Sequence, residues 1–159
     1  MSRCRTSLIA ALVALLPLVP LLAAANAHAA APARFTITEH IDLTTDPITL
    51  SFSATGPLCP SGFFTDDLSV SAGHPNPPGV ANTVSHDVYT CADGSGTFDA
   101  TKLSHLTIGD TGQTNAGEIQ LHGGTGAYTS LVGHGVDDGA FDYQTLIGVG
   151  NISGRITQP

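Results

Sequence analysis

From Arg34 onward the chain alternates apolar and polar residues with a period of two, and that period governs what it can fold into. In "RFTITEHI", Phe35, Ile37 and Ile41 alternate with Thr36, Thr38 and His40; in "ITLSFSA", Ile48, Leu50 and Phe52 alternate with Thr49, Ser51 and Ser53. The habit returns in "VSHDVYT", "GTFDATKLSHLTI", "GEIQLHG", "GAFDYQTLIGVG" and "NISGRIT". Successive side chains of a strand point to opposite faces, so this pattern describes strands with one buried face. Threonine, valine, isoleucine and aromatic residues fill the runs, and all of them favour strands. Turn clusters separate them at short intervals: "TGPLCPSG", "GHPNPPG", "ADGSG", "GDTGQTNAG", "GGTG" and "DDG". No segment carries an amphipathic helix capped at both ends, although "AYTSLVG" has room for one short turn. The reading is an all-β fold, a single antiparallel β-barrel of about eight strands in a meander.

The first residues stand outside that pattern. "MSRCRTS" is basic, "LIAALVALLPLVPLLAAA" is apolar, and "ANAHAAAPA" offers small-x-small cleavage sites. Together they predict a secretory signal peptide over residues 1–29, cut after Ala29. Pro17 and Pro20 interrupt the apolar run and no basic stop-transfer cluster follows, which favours cleavage over a membrane anchor. Residues 30–159 then form one barrel domain, expected outside the cell. This part keeps three cations, Arg34, Lys102 and Arg155, against thirteen acids, a formal charge of −10. Such a surface repels phosphate backbones, so neither nucleic acid nor an anionic membrane is an expected partner.

Two cysteines survive processing, Cys59 in "GPLCPSG" and Cys91 in "VYTCADG". An even count in an exported chain predicts a disulfide between them. The longest expected loop, "AGHPNPPGVANT", lies between the two, so the bridge is expected at its base.

The densest local signal is "GGTGAYTSLVGHG", Gly123 to Gly135. A phosphate cradle would need a following helix and usually a lysine, and neither is present. The stretch reads instead as a barrel corner, in which Gly123, Gly124 and Gly126 take positive φ or let backbones approach closely. Tyr128 and Leu131, three apart, would turn inward together, and Gly133 and Gly135 would leave room for Tyr128 to pack over them. A strand followed by "GGTG", an aromatic residue and "LxGxG" resembles the turn of the allene oxide cyclase and dirigent barrels. "YTCADGSGTF" followed some thirty residues later by "GGTGAY" is similar to small secreted actinobacterial proteins of unknown function. The resemblance covers roughly residues 84–159. It implies an eight-stranded antiparallel barrel with a central cavity. In the plant families such cavities bind oxylipins or guide phenoxy-radical coupling through acids, tyrosines and arginines. Neither Arg34 nor Arg155 matches a family catalytic position, so the fold carries over and the reaction does not.

Other constellations are weak. His40, His74, His86, His105, His122 and His134 include no HxH or HxxxH pair; His134 with Asp137 and Asp138 is the tightest group. Asp93, Asp99 and the pair Asp66-Asp67 lack the alternation of a calcium loop. There is no G-x-S-x-G, and no catalytic residue, metal or cofactor is assigned. Alternation places Glu39 on the same face as Phe35 and Ile37, hence one carboxylate in the lumen. The expected role is binding of a small apolar ligand, with Glu39, Tyr128 and Tyr143 as its candidate contacts, or a non-catalytic extracellular one. The rival is a cyclase or isomerase working in the same lumen. A convergent set of ionisable side chains inside the barrel would distinguish the two, and a lone glutamate serves neither.

Overall fold

The computed structural model describes residues 31–70 and 78–158. The expected signal peptide, residues 1–29, and His74 lie outside the described residues. Eight strands follow one another: β1 (Ala33–Asp42), β2 (Thr49–Thr55), β3 (Ser61–Val70), β4 (Val80–Cys91), β5 (Thr97–Ile108), β6 (Gly112–His122), β7 (Val132–Asp142) and β8 (Ile147–Gln158). Each is antiparallel to its sequence neighbours, and β8 returns to β1, so the sheet closes into a single barrel. The sequence expectation of an eight-stranded antiparallel barrel describes this architecture.

The meander sorts the loops. The connections after β2, β4 and β6 lie at one end; those after β1, β5 and β7, with the end of β3 and the start of β4, lie at the other. The first end is packed shut. Tyr89 stacks between Phe98 (centroids 4.7 Å apart) and Phe64 (5.6 Å), and Phe52 meets Tyr89 edge-on at 5.3 Å. Ile37, Ile119, Leu121, Leu131, Ile152 and Ile156 fill the rest of this apolar half. Offset and edge-on aromatic contacts of this kind stabilise beyond the area they bury.

The glycine-rich corner closes the same end. Gly126 to Tyr128 form one short 3-10 turn, with Tyr128 and Leu131 both buried. Gly126 holds φ at +61°, whereas Gly124 is required by close approach: a Cβ there would lie 2.2 Å from the Thr97 carbonyl oxygen. Tyr128 packs edge-on against Phe98 at 5.5 Å. It does not cover Gly133 and Gly135 as expected. Gly133 faces Leu121 and Ile156, and Gly135 lies against the β8 backbone at Ser153 and Gly154. The ring that packs there is that of Phe35, whose Cε1 lies 2.8 Å from where a Cβ would stand on Gly154, the partner of Gly135.

Cys59 and Cys91 are bridged, with their Cα atoms 5.9 Å apart. The bridge ties the β2–β3 loop to the end of β4 at the packed end. It therefore does not hold together Val70 at the end of β3 and Val80 at the start of β4, which lie at the opposite end. One expected run also divides. "GAFDYQTLIGVG" contains the β7–β8 turn, built on Asp142, whose Oδ1 accepts the Gln144 and Thr145 backbone amides, and on Leu146 at φ +59°.

Candidate functional site

The second end of the barrel is built differently. Its inward positions carry Thr83, Ser85 and Asp87 on β4, Lys102 and Ser104 on β5, Asn115 on β6 and Asp137 on β7. These strands keep the two-residue alternation but turn a polar face inward, while Val84, Val88 and Leu103 face out. Together with Glu39 of β1 and Asp66 of β3, four carboxylates surround one ammonium group. The single glutamate expected in the lumen is thus one of five converging ionisable residues.

The floor of the site is a network centred on Lys102, in which Asp87 Oδ1 is buried without a partner among the described residues. Lys102 Nζ donates to Glu39 Oε1 at 2.6 Å and to Asp87 Oδ2 at 2.7 Å. The Tyr89 hydroxyl donates to Glu39 Oε1 and, at 3.3 Å, to Asp87 Oδ2. All four side chains are buried. Gly150, opposite Glu39 on β8, makes room for that carboxylate, because a Cβ there would fall 2.6 Å from Glu39 Oε2. Burial raises the Glu39 carboxyl above its ordinary range and outweighs the pull of Lys102 and Tyr89. Burial works to lower the Lys102 ammonium, but the carboxylates of Glu39, Asp87 and Asp137 raise it, so it stays charged. The Tyr89 hydroxyl is raised by burial and by the two acids beside it, so it stays a donor.

Above the floor a second acid is also incompletely bonded. Asp137 accepts hydrogen bonds at Oδ2 from Asn115 (2.7 Å) and Ser104 (3.1 Å), yet its buried Oδ1 has no partner among the described residues. Burial raises its carboxyl too. Asp66, opposite Asp87 in the register, sits at the mouth and is open to solvent on one side. Partial burial and the neighbouring Asp87 carboxylate push it up to about 7. These groups line a cavity of about 120 Å³. Ile41, Leu68, Leu106 and Phe141 form its apolar mouth, and Gln113 and Phe141 are shared with a shallow groove that continues over Thr107, Thr111 and Ile147.

The three candidate ligand contacts read from sequence are spread over the barrel. Glu39 lies in the cavity floor. Tyr143 lies in the β7–β8 turn beside the mouth, its ring 6.0 Å from Phe141 and its hydroxyl donating to Gln113 Oε1. Tyr128 is at the packed end, where its hydroxyl lies 3.4 Å from Ser95 Oγ, and it does not line the cavity. Strand parity separates His134 and Asp138, which face out, from Asp137, which faces in. Among the described residues no group of three or more His, Cys, Asp and Glu side chains is arranged to hold a metal ion. Asp93 instead accepts the Ser95 amide in the β4–β5 turn, and Asp66 and Asp67 point to opposite faces of β3.

Comparison with protein-family models, curated proteins and solved structures finds no match. No helix among the described residues is long and apolar enough to cross a membrane.

Proposed function

We propose that this chain is an exported binding protein that receives a small amphipathic ligand through the open end of its barrel. The observation that carries the reading is the division of the lumen. One half is filled by stacked rings, and the other holds a cavity with an apolar mouth and a polar, incompletely bonded floor. A mouth lined by Ile41, Leu68, Leu106 and Phe141 favours an apolar body, and the few convergent polar groups beneath it fix a head. In this reading the small apolar ligand expected from the sequence gains a polar head. Export is supported by the bridged cysteines and by the basic-then-apolar start of the sequence. The eight-stranded meander is also what the likeness to allene oxide cyclase and dirigent barrels implies.

A titration of ¹⁵N-labelled protein with 1-hexanol tests the site. Chemical-shift changes should concentrate on Ser104, Asn115, Asp137 and Phe141, and Leu106→Trp, which fills the mouth, should abolish them without lowering the melting temperature. Changes confined to outward residues, or changes that persist in the filled variant, would remove the lumen from consideration.

A cyclase or isomerase acting in the lumen is the second reading, favoured by the convergence of five ionisable side chains there and, among them, by Asp66. A carboxyl at about 7 is matched to proton transfer near neutral pH. If that reading holds, a ligand recovered with the protein is converted by it and is bound but not converted by Asp66→Asn.

A further inference from the structure

We infer that the ligand's head is a primary ammonium group, held by Asp137 and Asp66 above the Lys102 network, with an alkyl body in the mouth and its groove. This rests on the reading that the open end binds a small molecule. Lys102 is engaged by Glu39 and Asp87, so the lumen retains two carboxyl groups, Asp66 and Asp137, with no cation of their own. Asp137 is only 3% exposed, and its Oδ1, like that of Asp87, is buried with no donor among the described residues; of the two acids, Asp137 is the one that lines the cavity. A buried acceptor left unpaired is costly, and a bound donor relieves that cost.

The chemistry of that donor follows from its surroundings. An anionic head would meet an excess of carboxylates. A quaternary ammonium has no N–H to offer Asp137 Oδ1, and the Phe64 face is already occupied by Lys102 Nζ at 5.9 Å. A metal ion is disfavoured because the acids encircle Lys102 and are not grouped as ligands. A hydroxyl supplies a hydrogen bond without charge, whereas a primary ammonium supplies three N–H donors and a compensating charge. Size agrees. The cavity of about 120 Å³ is smaller than the roughly 150 Å³ that accommodates a benzene ring, so a linear head enters and a bulkier body stays at the mouth.

The ionisable groups facing the head are Glu39 from β1, Asp66 from β3, Lys102 from β5 and Asp137 from β7, with Asp87 of β4 behind them against Asp66 and Lys102; β6 offers Gln113 and Asn115, and β8 offers Gly150. Asp66, at about 7, and Asp137, raised by burial, must release protons to receive a cation. Binding therefore tightens as the pH rises through neutrality.

Isothermal titration of the exported chain with hexylamine, 1-hexanol and hexanoate, at about pH 5 and about pH 8, tests this, the amine being protonated at both. Near pH 8 hexylamine should bind roughly tenfold more tightly than either control, the margin between charge-assisted and neutral hydrogen bonds. Its affinity should fall at least several-fold near pH 5. Asp137→Asn keeps acceptors for Ser104 and Asn115; it should erase the preference for the amine while leaving 1-hexanol binding intact. If that variant fails to fold, Asp66→Asn at the mouth should weaken the preference and flatten its pH dependence. Equal binding of 1-hexanol and hexylamine would overturn the ammonium assignment while leaving the lumen site standing. A preference that survives both aspartate changes would also overturn it. Absence of binding by all three probes would remove the underlying site as well.

Discussion

Replacing Lys102 by methionine keeps the reach of the side chain and removes the only cation among the described lumen residues. Lys102 is held between Glu39 at 2.6 Å and Asp87 at 2.7 Å, with side-chain exposures of 10% for the lysine and 5% and 0% for the two acids. Solvent therefore screens none of the three appreciably. Deleting one member of a buried ion pair costs about 3–5 kcal/mol, because it strands the remaining charge. Here two acids lose their partner together, and the upper part of that range is expected near neutral pH. For a barrel of this size the loss corresponds to a melting temperature lower by roughly 10–20 °C. The pH dependence gives the sharper check. Burial already raises Glu39 in the folded chain, and removing Lys102 raises it further. A carboxyl raised on folding contributes stability below its unfolded value and loses that contribution as pH rises through its folded value. The deficit of Lys102→Met should therefore be largest near pH 8 and shrink toward about pH 5. Urea unfolding at both pH values measures it. A variant within about 1 kcal/mol of the parent near pH 8, or one whose deficit grows on acidification, would refute the account of a charge-compensated floor.

The other expectations concern separate parts of the barrel. Because Asp66 rises to about 7 on folding, its contribution to stability is lost between its unfolded value, near about 4, and 7; Asp66→Asn should flatten the fall in melting temperature over that interval. Gly124→Ala drives a Cβ toward the Thr97 carbonyl at 2.2 Å and should cost more than the ~1 kcal/mol of an ordinary glycine replacement, as read by denaturant midpoint. Tyr128→Phe should cost under about 1 kcal/mol in the same assay, because the hydroxyl's contact with Ser95 is long at 3.4 Å. Replacing Cys59 and Cys91 by alanine opens a loop with a separation of 32 residues and should lower stability by about 3–4 kcal/mol; an unchanged midpoint would contradict a structural bridge.

Much of the wall was legible because apolar residues mark the inner face on β1, β2 and the first half of β5. Phe35, Ile37, Phe52 and Phe98 are buried where alternation puts them, and Glu39 follows them inward. The bridge between Cys59 and Cys91 and the corner at Gly124 and Gly126 were legible from compartment and backbone chemistry. The cluster was not. Along "NTVSHDVYT" two valines lie on the opposite face from Tyr89, and apolar content gives no rule for choosing between the faces. The choice is made by partners distant in sequence: Asp87 is drawn in because Lys102 and Tyr89 meet it there, and Lys102 looks like an isolated cation until β1 and β4 stand beside it. The register of Tyr89, inward because it stacks on Phe98, was the signal available, since parity from that tyrosine places Asp87, Ser85 and Thr83 inside. The β7–β8 turn escaped because "YQTL" has none of the glycine, proline or asparagine that usually marks one.

The seam between β1 and β8 has a bearing on the order in which the molecule is made. Ala33 pairs with Ile156 and Asp42 with Ile147, so the wall is complete only when the last strand has met the first. Such distant pairing is slow to find, because the whole intervening chain must be gathered before it is rewarded. Glu39 lies on the first strand of that seam, beside Gly150 of the last. Lys102 and Asp87 thus acquire their final neighbour in the step that closes the cylinder. A chain halted before β8 would expose one open edge of β1 and a half-assembled floor together, so maturation of the pocket and sealing of the wall are one event.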